Sequence, residues 1–138
     1  MMFFNKTLDI ETGIGPSIID ITDKVFDVVN KQKIKQGYLL LFIQHTTAAL
    51  KINEAEPNLL KDMQDFFNKA VSNDLSYNHN VVDERTNAHS HLKSLFLETS
   101  LFIPIVDGKL ALGAWQNILF FEFDGPRKRT VMLQVFGE

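Results

Sequence analysis

Histidines are the residues of this sequence best suited to acid–base or metal chemistry, and there are four of them. His89 and His91 lie two positions apart in NAHSHL, whereas His45 and His79 stand alone. Side chains at i and i+2 point the same way from a strand but about 200° apart from a helix. The local structure therefore decides whether His89 and His91 can act as a pair.

The NAHSHL stretch favours a helix. Asn87 is a suitable N-cap residue, and apolar residues recur at helical spacing from Ala88 to Phe96. His89 and His91 then fall on opposite margins of the apolar stripe, so that one can face a pocket while the other faces water.

Three histidine side chains could hold a metal ion such as zinc and leave one coordination position open. His45 ends a buried strand, His79 lies in a polar loop and His89 begins the predicted helix. Two of them also have an ordinary alternative, since His45 could bond to backbone at the core edge and His79 could be a solvated loop residue. No HExxH signature is present, so the spacing alone leaves both interpretations open.

The strand candidate NILFFEF places a carboxylate among large apolar residues. Glu122 shares a strand face with Ile118 and Phe120, so it either reaches the sheet edge or occupies a pocket that raises its pKa. Glu54, after LKIN, raises the same question. Arg127, in DGPRKR, could clamp a phosphate or carboxylate through its bidentate fork, or it could be a solvated turn residue.

The spacing of apolar residues also predicts the elements that must position these side chains. We expect a strand over residues 2–11, a helix over 18–29, a buried strand over 37–44 and a short strand over 50–53. Glu56 and Pro57 then open a helix with a strong apolar stripe. Residues 72–86 form a long polar loop, of the kind that often carries function.

Four strand candidates occupy residues 101–136, namely LFIPIV, KLALGA, NILFFEF and RTVMLQVF. Asp107-Gly108 is a hairpin signal and DGPRK is a longer turn, so consecutive pairing into an antiparallel meander is expected. The last two candidates are apolar on both faces, and a chain of 138 residues has few helices to cover them. We therefore expect a homotrimer whose subunits cover one another.

The composition fits a single globular domain over residues 1–138. A net charge of −3 argues against nonspecific nucleic-acid binding, and no apolar run is long enough to span a membrane. The first residues lack a signal-peptide pattern, so a cytoplasmic location is expected. Because cysteine is absent, any metal must be held by histidine and carboxylate.

Several segments resemble the YjbQ family of small proteins, some of which are described as secondary thiamine-phosphate synthases. These segments are HTTAALKINE, NAHSHLKS, SLFIPIVDGKLALGAWQNILFFEFDGPRKR and the ending VFGE, and the resemblance runs from residue 35 to the end. The family usually has threonine before the tryptophan, where this chain has Ala114. That difference could alter a hydrogen bond near the site.

The resemblance implies an α+β fold with a curved antiparallel sheet or sandwich and a few packed helices, assembled as a homotrimer. It also implies a site near subunit boundaries, built from His45, Thr46, Asn53, Glu54, His79, His89, Trp115, Gln116, Glu122 and Arg127. His89 matches a position that the family keeps more widely than that of His91. We therefore expect His45 and His89 to share a pocket, with His79 as a weaker third member.

The function implied is a transferase that joins a pyrimidine diphosphate to a thiazole phosphate and releases pyrophosphate. Arg127 and a divalent metal, zinc or magnesium, would stabilise the leaving diphosphate, while Trp115 would form a wall for the ring. His45, His89 or Glu122 would move a proton. Further substrate contacts would come from Gln116, Thr46, Asn53 and Glu54. Two alternatives stay open: a metal-dependent hydrolase using His45, His79 and His89, and a non-catalytic trimer that binds a small phosphorylated or otherwise anionic metabolite.

Overall fold

Two antiparallel sheets pack against each other in this protein, in an α+β fold. The computed structural model describes residues 1–73 and 76–138. The strands are β1 (Met2–Glu11), β2 (Ser17–Asp20), β3 (Gly37–Phe42), β4 (Ala48–Asn53), β5 (Ser100–Val106), β6 (Lys109–Leu110), β7 (Asn117–Glu122) and β8 (Lys128–Gly137). The helices in these residues are α1 (Thr22–Asn30), α2 (Pro57–Ala70), α3 (His79–Val82) and α4 (Ala88–Ser94).

The larger sheet has the strand order β1-β8-β3-β5-β6, and the smaller sheet has the order β2-β7-β4. The predicted meander is therefore wrong except for the β5–β6 hairpin at Asp107-Gly108. Strand β7 does not pair with β6 or β8 but lies between β2 and β4 in the smaller sheet. Strand β8 pairs with β1 and β3 in the larger sheet. Strand β7 is apolar on both faces. Such a strand is stable only in the centre of a sheet, where both of its faces are packed against other elements.

The main core lies between the two sheets. Strand β8 alternates, so that Val131, Leu133 and Val135 point inward, and Ile118 and Phe120 of β7 meet the same core from the smaller sheet. Helix α1 closes this core with its buried valines.

The other face of β7 is covered by α2. Leu119, Phe121 and Phe123 form a second cluster with Phe67, whose ring centroid lies 4.9 Å from that of Phe123. Both faces of β7 are thus buried within one chain, so the argument for a neighbouring subunit no longer applies to this strand.

The observed first residues of the helices can be compared with those predicted from the sequence. Residues 17–20 form β2 rather than the predicted first turn of a helix, and α1 begins after Asp20, whose Oδ1 accepts a hydrogen bond from the Thr22 amide at 3.0 Å. Helix α2 begins at Pro57 as predicted, with Glu56 as its N-cap. The predicted polar loop contains α3, and its residues 74 and 75 lie outside the described residues. Within the described ranges, no helix is long and apolar enough to cross a membrane.

Candidate functional site

Asp124, in the turn between β7 and β8, is the centre of a polar cluster. Its Oδ2 accepts hydrogen bonds from Nε and Nη2 of Arg85 at 3.1 and 3.0 Å and from Nδ2 of Asn87 at 3.0 Å. Nη2 of Arg127 lies 3.4 Å from the same oxygen. Burial alone would raise the pKa of Asp124, but hydrogen bonds from Asn87 and Arg85 and the positive charges of both arginines lower it. We call these four residues the Asp124 cluster.

Glu122 lies beneath this cluster and is completely buried. Its Oε1 accepts hydrogen bonds from the Thr12 hydroxyl and from Arg129 Nε, the latter at 2.8 Å. Its Oε2 accepts from Arg129 Nη2 and, at 3.1 Å, from the amide of Asp124. Burial would raise the pKa of Glu122, but these hydrogen bonds lower it overall. Both expectations for Glu122, an edge position or a raised pKa, are therefore wrong, because Arg129 is buried beside it.

The turn that carries Arg127 is fixed by close packing against the residues after β1. The backbone amide of Arg127 donates to the Thr12 hydroxyl at 3.0 Å, and the Thr12 amide donates to the Arg127 carbonyl at 3.0 Å. Gly125 has a φ of +66°, and a Cβ there would lie 2.0 Å from the Gly13 carbonyl oxygen. Only glycine fits at this position.

His79 and His91 form a pair. Their rings lie 4.8 Å apart in an edge-to-face arrangement, and Nε2 of His79 is 3.3 Å from the Asp83 carboxylate. Burial and the neighbouring His79 lower the pKa of His91, against the opposing effects of Asp124 and Asp83. The two imidazoles line a cavity of about 370 Å³ together with Tyr77, Asn78, Ala88 and Leu92. One of the lining residues, Ala88, directly follows Asn87 of the Asp124 cluster in the chain.

His89 and His45 have other partners. Nδ1 of His89 is 3.1 Å from Nζ of the buried Lys93, and the amide of Thr130 donates to Nε2 of His45 at 3.1 Å. Burial lowers the pKa of both histidines, with Lys93 adding to this effect at His89 and Arg129 at His45. His45 thus makes the backbone contact that was its ordinary alternative.

The expected group of His45, His79 and His89 is not assembled within one chain. Helix α4 does direct His89 and His91 to different neighbours, as the helix geometry predicted, but His79 lies on the side of His91. Over residues 1–73 and 76–138, no group of three or more His, Asp or Glu side chains is placed to hold a metal ion.

Four other expected site residues lie at the opposite end of β7. Strand β4 pairs Ala48 with Glu122 but Asn53 with Asn117, which places the two ends about 17 Å apart. The residues at the Asn117 end are Asn53, Glu54, Trp115 and Gln116. Trp115 is 76% exposed there, and Oε1 of Gln116 accepts a hydrogen bond from the Gly113 amide at 2.7 Å. A single chain does not bring them to the Asp124 cluster.

Asp124, Arg85 and Lys93 were not expected in the site from the sequence, whereas Asn87 was expected as a helix N-cap and Arg129 as part of the basic DGPRKR turn. Arg129 had a usable signal, because it shares the strand parity of the inward-facing residues Val131 and Leu133. Lys93 stands four residues after His89 and so lies on the same face of α4. Thr46 is exposed, whereas the adjacent Thr47 is buried and accepts a hydrogen bond from Arg129 at 2.8 Å.

Comparisons with known proteins agree with this fold. The family model of the UPF0047 protein YjbQ-like family matches residues 6–138. A UPF0047 protein of Methanothermobacter thermautotrophicus is 38% identical over 138 residues, covering 100% of this chain and 95% of that protein. One from Archaeoglobus fulgidus is 45% identical over 127 residues, covering 92% and 97%. The crystal structure of a YbjQ-like protein of unknown function from Sulfolobus solfataricus matches with a TM-score of 0.93 at 36% identity, covering 99% of each chain. This chain belongs to the YjbQ-like UPF0047 family.

Proposed function

We propose that this protein is a transferase resembling thiamine-phosphate synthase, which binds the phosphate groups of its substrates at the Asp124 cluster. The proposal rests on the guanidinium groups of Arg85 and Arg127, which both contact the Asp124 carboxylate. The side chains of Arg85 and Arg127 are 48% and 34% exposed, so both reach solvent. Their described contacts use only Nε and Nη2 of Arg85 and Nη2 of Arg127, which leaves N–H donors for the bidentate acceptor geometry of a phosphate.

The proposed reaction joins a pyrimidine diphosphate to a thiazole phosphate. The ring nitrogen of the thiazole donates its lone pair to the methylene carbon of the pyrimidine, and the bond from that carbon to the diphosphate oxygen breaks. Pyrophosphate leaves with the electron pair of that bond. The attacking nitrogen carries no proton, so the ionised and buried Glu122 is not needed as a base. The main requirement is positive charge at the leaving group, which Arg85 and Arg127 supply.

A divalent metal, zinc or magnesium, would add charge neutralisation at the diphosphate when bound. One chain offers no ligand group for it within the part that the structure describes.

The test is the formation of thiamine phosphate from the two precursors by the purified protein. Arg127→Ala and Arg85→Ala should each lower kcat/KM by about tenfold to a hundredfold, since a charge-assisted hydrogen bond contributes about 1.5–3 kcal/mol. Lys128→Ala is the matched control, because Lys128 directly follows Arg127 as the first residue of β8 and is exposed. Absence of product, or an equal effect in all three variants, would contradict the proposal.

A non-catalytic protein that binds a small anionic metabolite is the second candidate. The exposed guanidinium groups of Arg85 and Arg127 support this candidate as well, because anion binding requires no further chemical group. Pyrophosphate binding in calorimetry, sensitive to Arg127→Ala but without any thiamine phosphate formation, would support this candidate. The histidine-based hydrolase has less support, since its three histidines are not grouped within one chain.

We also propose that the protein is a homotrimer that uses the outer face of the larger sheet. Tyr38, Phe102 and Phe136 stack there with ring centroids 5.0–6.1 Å apart, and Phe102 and Tyr38 are 58% and 44% exposed. Contiguous exposed aromatic surface of this kind is typical of an interface. A neighbouring subunit could also bring the residues of the Asn117 end, such as Trp115, towards the Asp124 cluster.

A further inference from the structure

Lys93 is a buried charged residue that the proposed reaction does not use. It lies on α4 with 0% of its surface exposed. Its Nζ is 2.9 Å from Oδ1 of Asn73, 3.4 Å from Oδ1 of Asn68 and 3.1 Å from Nδ1 of His89. Burial of an amine is tolerated when its hydrogen-bonding groups are satisfied, so these three contacts explain how Lys93 can lie there.

The three contacts also determine how His89 is protonated. An ammonium group has three N–H donors, and the two amide oxygens can only accept. The third donor therefore points at Nδ1 of His89, and a ring nitrogen that accepts a hydrogen bond carries no hydrogen. The hydrogen of a neutral His89 then lies on Nε2. An uncharged Lys93 would reverse this order, because its lone pair would accept a hydrogen from Nδ1.

We propose that Lys93 is a positioning residue, whose buried ammonium group holds His89 in the tautomer that carries its hydrogen on Nε2, from which it can be donated to an anionic ligand. The role of the anion rests on the proposed function, whereas the state of His89 does not. The charged groups that act on His89 are Lys93 on its own helix and Asp124 in the β7–β8 turn. The side chains of Asn68 and Asn73, which also contact Lys93, are neutral. No residue in the described ranges accepts a hydrogen bond from Nε2 of His89, so this donor is available to a ligand.

The first experiment determines the ring form of His89 by long-range ¹H–¹⁵N correlation at about pH 8, where histidines are neutral. His89→Ala assigns the signals. We expect Nδ1 of His89 to give the shift of an unprotonated acceptor, and Lys93→Met to shift that signal. His45 is the internal control, because its Nε2 contacts the Thr130 backbone rather than Lys93 and its signals should not change. Finding the hydrogen of His89 on Nδ1 in the unmodified protein would overturn the proposal.

The second experiment measures pyrophosphate binding in a double-mutant cycle. If Lys93 acts through His89, Lys93→Met should weaken binding about tenfold, the effect of one charge-assisted hydrogen bond, and have little further effect in the His89→Ala background. Equal losses in both backgrounds would overturn the positioning role. Lys93→Gln replaces Met if the apolar variant fails to fold. If the unmodified protein binds no pyrophosphate, the proposed function fails. The role of Lys93 is then judged from the position of the hydrogen on the His89 ring alone.

Discussion

Glu122 and Arg129 show how this protein handles buried charge at the scale of single residues. Both oxygens of Glu122 accept hydrogen bonds, from Arg129, from the Thr12 hydroxyl and from the amide of Asp124. The carboxylate thus fixes the first residue of the turn on which Arg127 depends. We therefore expect Glu122 to contribute to the position of Arg127 and to the stability of the protein.

Glu122→Gln should lower the free energy of unfolding by about 3–5 kcal/mol, because it leaves the Arg129 guanidinium buried without a counter-charge. Urea denaturation measures the change. Glu98→Gln is the control, since the Glu98 side chain is 54% exposed in its ion pair with Lys51 and should change little. An unchanged stability together with lost turnover would instead indicate a catalytic role for Glu122.

Stability should fall in two stages as the pH is lowered. The pKa values of His45, His89 and His91 are lowered on folding, so the unfolded chain binds protons more readily below its ordinary histidine pKa of 6.5. The pKa values of Glu122 and Asp124 are also lowered, and their stabilisation is lost as the pH falls below their ordinary values of 4.5 and 3.8. Urea midpoints across this range measure both stages. A midpoint that rises on acidification from neutral pH would contradict this assignment, and His91→Gln should reduce only the first stage.

At the scale of elements, the β7–β8 turn and helix α4 decide the geometry of the site. The turn packs its backbone against residues 12 and 13, and α4 is anchored to it through Ser90, whose hydroxyl donates to the Phe123 carbonyl. Asn87, at the start of α4, donates to Asp124 instead of capping the helix. The helix and the turn therefore form one support for the arginines and histidines.

Gly125→Ala should destabilise the protein by more than about 1 kcal/mol and weaken pyrophosphate binding, because the new methyl group strains the backbone and meets the Gly13 carbonyl. Gly13→Ala is the matched control, since a Cβ at Gly13 meets no atom within 4 Å. Thermal unfolding and calorimetry provide the two measurements. Equal behaviour of the two variants would show that the close approach at Gly125 is unimportant.

At the scale of the whole molecule, the larger sheet has one face in the core and one face open. The inner residues of β8 are buried, while the outer face exposes aromatic rings from β3, β5 and β8. The smaller sheet differs, because α2 covers its outer face. The open aromatic face is therefore the surface on which self-association is best tested.

Light scattering behind size exclusion should give a mass near 47 kDa, which is three times the chain mass of 15.8 kDa. Phe102→Glu should shift the protein to the monomer, because a charge at the centre of an apolar interface is strongly unfavourable. Leu95→Glu serves as the control, since Leu95 is 78% exposed and lies outside the sheet. An unmodified protein that is monomeric at micromolar concentration would exclude the trimer.

Local sequence signals determined the elements that depend on near neighbours. Alternation predicted β1, the proline and apolar stripe predicted α2, Asp107-Gly108 predicted the β5–β6 hairpin, and helical spacing separated His89 from His91. The segments that resemble the YjbQ family were sufficient to indicate the family from the sequence alone.

Tertiary structure alone decided the strand order and the partners of the charged residues. Thr12 and Glu122 are 110 positions apart, and His45 and Thr130 are 85 apart, so no local period relates them. The apolar run of β7 is compatible with a meander or with a second sheet, and only the packing of both its faces selects the second sheet. This strand order brings Arg129 to Glu122, and it brings Arg85 and Arg127 to Asp124. Side chains distant in sequence meet only where the packed sheets and helices place them.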